Sequence, residues 1–138
     1  MDYKPWGSGL LPEDVQVSCS PGDPTIIALG GELDTHTVVA LEWVVTAILA
    51  RHPRPRVIVM DLDEVGFLSV AGVRALHAAT DRAAAHLVTF RVALGRRAIV
   101  RRALAVTGAE ALLDIYPDRY AALDTGLRRV FDDLVRDL

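Results

Sequence analysis

Apolar residues fall along the chain in short blocks whose spacing changes from one block to the next. Val15 to Ser20 alternates apolar and polar as VQVSCS, the period-two pattern of a half-buried strand. PGDP at 21–24 is turn chemistry, and TIIALG at 25–30 returns as a more buried strand, so the pair reads as a hairpin. GELD at 31–34 leads into TVVALEWVVTAILA at 37–50, a helix of about four turns ended by His52-Pro53. RVIVMDL at 56–62 is continuously apolar and β-branched, as an interior strand covered on both faces should be. FLSVAGVR at 67–74 reads as a small-residue turn. A helix over roughly 71–85 follows, with Val73, Leu76, Ala79 and Ala83 on its core face. LVTFRVAL predicts the next strand, and RRAIVRRALAVTG a short helix that Gly108 ends. LLDIY is a last short strand, and PDRYAALDTGLRRVFDDLVRDL a closing helix. The order β-β-α-β-α-β-α-β-α predicts an α/β fold: a mixed, largely parallel sheet joined by helical crossovers, with about four helices.

At 138 residues the chain is expected to form one domain over 15–138. Residues 1–14 are expected to be a flexible lead-in, because Pro5, Gly7, Gly9 and Pro12 interrupt them and no basic-then-apolar leader shows there. A net charge of −3 argues against a nucleic-acid binder, and no apolar run reaches the roughly 18 residues of a membrane span. Cys19 is the single cysteine, which excludes an internal disulfide and suits a reducing cytosol. Lys4 is the only lysine; an arginine bias of this kind is what a GC-rich genome would be expected to produce, without any physical demand.

Three stretches carry a resemblance: GELD at 31–34, VIVMDLDEVGFLSVAGVRAL at 57–76 and LLDIYPDRYAAL at 112–123. Together they resemble the STAS domain, the family of anti-sigma-factor antagonists and sulfate-transporter tails, from Val15 to about Val135. In phosphorylated members of that family, a strand ending in Asp-Leu is followed by a turn of the form Asp-Ser-Ser/Thr-Gly. The Ser after the turn's Asp is modified by a partner kinase. Here Ser69 stands at the Asp position, Val70 at the acceptor and Ala71 next, and only Gly72 is kept. Valine has no hydroxyl, so that switch cannot operate at Val70.

The resemblance implies a non-enzymatic cytosolic regulator without cofactor. Its implied partner is an anti-sigma factor of the histidine-kinase-like, ATP-binding Ser/Thr kinase type. The implied partner-binding residues are Asp34, Ser69, Val70, Ala71, Gly72, Arg74 and His77. A rival reading is a scaffold or small-ligand-sensing module acting through homo-oligomerisation, and a homodimer stays open.

Each remaining candidate has a plainer alternative. Ser69 is either a phosphoacceptor one residue early or an N-cap accepting from the amide of Ala71 or Gly72. Asp61, Asp63 and Glu64 lie where α/β sheets collect ligands, a conceivable Mg²⁺ site, yet short acids also simply open loops. His36, His52, His77 and His86 lack metal-ligand spacing. His77 shares a helix face with Arg74 and Asp81, either solvated or facing a partner. Arg96, Arg97, Arg101 and Arg102 are expected on one side of their helix, with Ile99, Val100 and Leu104 toward the core. The first helix is apolar nearly all round, and an exposed Trp43 edge would suit a dimer or partner contact. No nucleophile–base arrangement or phosphate loop is visible, so an enzyme is not expected.

Overall fold

A computed structural model describes residues 15–124. The lead-in at 1–14 and the closing helix beyond residue 124 lie outside the described residues. Five strands, β1 (Val15–Ser20), β2 (Thr25–Leu33), β3 (Val57–Leu68), β4 (Thr89–Ala93) and β5 (Asp114–Tyr116), form one sheet in the order β1-β2-β3-β4-β5. The β1–β2 pair is the expected antiparallel hairpin, and β2 through β5 run parallel. Three crossover helices join the parallel strands: α1 (Val38–Leu49), α2 (Val70–Ala85) and α3 (Ala98–Val106). Residues 119–124 open a fourth helix, α4. Strands added in one direction by right-handed crossovers put all their helices on one face. Accordingly Leu41, Val45 and Ile48 of α1, Leu76 of α2 and Leu104 of α3 share one core with Ile27, Leu29, Met60 and Leu62 of the sheet. The expected α2 stripe of Val73, Leu76, Ala79 and Ala83 is buried throughout. The opposite face of the sheet packs Val59, Ala93 and Tyr116 against Ala122 of α4.

Arg91 is buried on that second face. Its Nη1 donates to the Ala122 carbonyl at 3.0 Å, its Nε lies 3.6 Å from Asp114 Oδ2, and its guanidinium stands 5.6 Å from the Tyr116 ring centre. A desolvated guanidinium needs such company, and here it ties α4 to the sheet.

Two strands are longer than the local pattern predicts. GEL is the end of β2 rather than the approach to α1, and DEVGFL is the second half of β3 rather than a turn. Glycines and acids read locally as loop formers. Here they are held extended because β2 and β3 pair as far as Leu33↔Leu68, with register shifts at Ala28/Gly30 and Gly31/Glu32 that break the alternation. Ile99 is 44% exposed instead of facing the core, and α3 starts at Ala98, so Arg96 and Arg97 precede it. The last strand holds only DIY, with Leu112 exposed beside a 3-10 turn at Ala109–Ala111.

Candidate functional site

β4 ends opposite Asp61, so the last residues of β3 extend past it and, among the described residues, have β2 as their only strand neighbour. That overhang delivers the chain directly into α2, with Ser69 alone between Leu68 and Val70. Ser69 is extended, and its Oγ accepts from the Gly72 amide at 3.1 Å while its carbonyl receives Val73 N–H at 3.0 Å. The cap expected from the sequence is therefore made, and the serine oxygen is engaged with the helix. The Ser69 amide donates to the Leu33 carbonyl at 2.9 Å, tying the start of α2 to the end of β2. Gly72 lies so close to that carbonyl that a Cβ would stand 2.8 Å from it. Glycine is needed here for close approach, not for an unusual backbone angle.

Val70, first residue of α2, is 55% exposed, and Phe67 just before it is 43% exposed. Neither is explained by the core, and together they put apolar surface on the outside of the turn. Ala71 is half-buried, Gly72 buried and Arg74 exposed. His77 Nδ1 lies 3.8 Å from Asp81 Oδ2 on an exposed helix face, the weak contact expected. Asp34 sits across the gap at the end of β2. Its Oδ1 accepts from the amides of His36 at 2.9 Å and Thr37 at 3.1 Å, closing the turn into α1. Burial pushes its carboxyl up, but the amides of His36 and Thr37 together outweigh this and hold it below the ordinary value. The structure thus brings Val70, Ala71 and Arg74 together on one surface, while Phe67 is exposed on the strand just before it. Asp34 and Ser69 mainly build the loops that present it.

A shallow groove continues this surface between α1 and α2, lined by Thr35, Val38 and Glu42 on one side and Val70, Ala71, Arg74, Ala75 and Ala78 on the other. Trp43, 45% exposed, lies on α1 but is not part of its lining.

A deeper cavity lies beside the middle of β3 and beyond the ends of β4 and β5, lined by Asp61, Asp63, Arg96, Arg101, Arg119 and their neighbours. The acids considered for Mg²⁺ are each met by an arginine: Arg119 Nε at 2.7 Å from Asp61 Oδ2, Arg96 Nη2 at 3.3 Å from Asp63 Oδ2, and Arg97 Nη2 at 3.8 Å from Glu64 Oε2. The Arg96 amide also donates to Asp63 Oδ1 at 2.9 Å, and this bond followed by the guanidinium holds the Asp63 carboxyl below its ordinary range. Gly95 makes the clasp possible, because a Cβ there would fall 2.4 Å from the Asp63 backbone. Among the described residues no three His, Cys, Asp or Glu side chains are grouped to hold a metal. The expected basic helix side is likewise redistributed, with Arg96 and Arg97 turned back onto β3 and Arg101 Nη2 donating to the Gly95 carbonyl. No described helix is long and apolar enough to cross a membrane.

The profile of the STAS domain matches residues 14–122. The chain belongs to the STAS domain family. It is 32% identical over 103 residues to an anti-sigma-F factor antagonist, RsfB, of Mycobacterium tuberculosis, covering 75% of this chain and 80% of the relative. Among solved structures, an anti-sigma factor antagonist from Mycobacterium paratuberculosis superposes with a TM-score of 0.71 at 28% identity, over 84% of this chain and 97% of that one. The unphosphorylated anti-sigma factor antagonist SpoIIAA shares the fold, with a TM-score of 0.61 at 19% identity over 90% and 97% of the two chains. The STAS resemblance is thereby confirmed over residues 14–122, short of the expected Val135, as is the mostly parallel sheet with its helices. Sequence reasoning placed Phe67 in the stretch but passed over it as a site residue. Buried Arg91 went unnoticed, because one arginine in TFRVA carries no signal of what will cover it.

Proposed function

We propose that this STAS chain is an anti-sigma-factor antagonist-like regulator, not an enzyme. It binds an anti-sigma factor through Phe67, Val70, Ala71, Arg74 and His77, and that binding is not switched by phosphorylation. The partner is of the histidine-kinase-like, ATP-binding type, and the setting is the cytosol, which suits a lone reduced Cys19. One observation carries the reading: the first residue of α2 is an exposed valine, in a family whose relatives here are named anti-sigma factor antagonists. Apolar surface at that spot gains from being covered. A charge there would have to be desolvated by the partner. The neighbouring Ser69 oxygen supports the unswitched reading, since a kinase would have to pull it from its bond to Gly72.

Titration calorimetry of the wild type, Val70→Ser and Val70→Asp against the anti-sigma factors of the source organism tests this. The wild type and Val70→Ser should bind within a few-fold of each other. Val70→Asp should bind at least about tenfold more weakly, corresponding to about 1.4 kcal/mol. The fold should tolerate the aspartate, because a carboxylate in the first turn suits the helix dipole. Failure of the wild type to bind any anti-sigma factor, or equal binding by all three proteins, would refute the proposal.

A further inference from the structure

The groove beside the docking turn has a chemistry of its own. Val70, Arg74 and Ala78 are spaced four apart on α2, and Val38, Glu42 and Thr46 are spaced four apart on α1, so each set forms one ridge along its helix. All but Thr46 line the groove, and Arg82 Nη2 donates to Thr46 Oγ1, joining the two helices beyond Ala78. Eight residues of helix span about 12 Å, so the trough is about two turns long. Ala71, Ala75 and Ala78 line it with small side chains, which lets another backbone approach closely. Arg74 and Glu42 lie on opposite sides of it, both exposed, and among the described residues neither makes an ion pair.

Resting on the proposed function, we infer that this groove receives an amphipathic helix of the anti-sigma factor. That helix carries a carboxylate on the flank facing Arg74, a cation on the flank facing Glu42, and an apolar residue about one turn away that meets Val38 and Val70. Opposite charges on the two sides fix the direction in which the helix lies, because the reversed helix would set like charges together. The groove also continues the exposed Val70 surface without a break, so one partner can cover both.

The test uses an anti-sigma factor that the wild-type chain binds, with Glu42→Lys, Arg74→Glu and Ala78→Arg as variants. Ala84→Arg, exposed on α2 but outside the groove lining, serves as control. All four positions are exposed and should fold as the wild type does, which circular dichroism checks. Each groove variant should weaken binding at least tenfold, and the control less than threefold. Changing the partner's carboxylate to Arg or Lys should restore part of the loss caused by Arg74→Glu, and changing the partner's cation to Glu part of the loss caused by Glu42→Lys. If Val70→Asp abolishes binding while Glu42→Lys and Ala78→Arg bind as the wild type, the groove assignment is wrong and the proposed function stands. If the wild type binds no anti-sigma factor, both fall. A dimer of the free chain that Ala78→Arg dissociates would give the groove to a second copy and overturn the assignment.

Discussion

Replacing Gly72 by alanine should destabilise the protein, although the same change in an ordinary helix stabilises it. Gly72 lies in the first turn of α2, where alanine gains up to about 1 kcal/mol in helix propensity. Against that gain stands the added Cβ, which would meet Leu68 Cδ1 at 2.7 Å, the Leu33 carbonyl oxygen at 2.8 Å and Leu33 Cβ at 3.2 Å. The leucine methyl can turn aside, but the carbonyl is backbone and is held by the Ser69 amide at 2.9 Å. Relief requires α2 to lift away from β2, stretching a hydrogen bond worth about 1 kcal/mol and adding overpacking strain of about 1–3 kcal/mol. The balance is a net loss of about 1–3 kcal/mol. For a chain of this length that lowers Tm by about 3–15 °C. Urea unfolding followed by circular dichroism should show an earlier midpoint with an unchanged slope. Gly66→Ala is the control: the nearest atom to its Cβ is the mobile Arg97 Nη1 at 3.5 Å, so it should lie within about 0.5 kcal/mol of the wild type. A Gly72→Ala protein as stable as the wild type, or more so, would show that the close approach of α2 to β2 is wrongly described.

Ser69→Ala removes the cap on Gly72 and should cost about 1 kcal/mol in the same assay; no change would mean that the oxygen does not cap α2. Asp63, whose carboxyl is held below its ordinary 3.8, contributes stability that is present above that value and lost as pH falls through its lower folded value. Stability measured from pH 7 to pH 3 should therefore decline more steeply below about pH 4 in the wild type than in Asp63→Asn. Parallel curves would refute the Asp63–Arg96 clasp. Arg119→Met leaves Asp61, only 9% exposed, without its cation and should cost about 2 kcal/mol, moderated because Arg119 itself is partly hydrated. The double variant Asp61→Asn/Arg119→Met should be about 1 kcal/mol more stable than the two single losses added together, and strict additivity would exclude a direct pairing.

How far the fold could be read in advance depended on how local its causes are. The β1–β2 hairpin, the buried stripe of α2, the Gly108 stop and the Ser69 cap each follow from residues a few positions apart, and each was legible. The overhang of β3 was not. Asp63, Glu64 and Gly66 favour loops, and the strand stays extended through the pairing of Glu64, Val65, Phe67 and Leu68 with the distant Gly30 to Leu33, leaving Asp63 and Gly66 at the register shifts. The acid–arginine pairs escaped for the same reason, since 33 residues separate Asp63 from Arg96 and 58 separate Asp61 from Arg119. Exposure at Val70 was expected from family likeness, whereas the facing charges of Glu42 and Arg74 arise only once α1 and α2 lie side by side.

Because β3 runs into α2 through one residue, this end of the molecule has no slack. An added or deleted residue between Asp61 and Ser69 would not vanish into a loop. It would flip the following side chains to the other side of the sheet and turn Val70 away from whatever it meets. Homologues that bind in the same way should therefore keep this spacing constant, while freely varying the length of the Ser20–Thr25 connection.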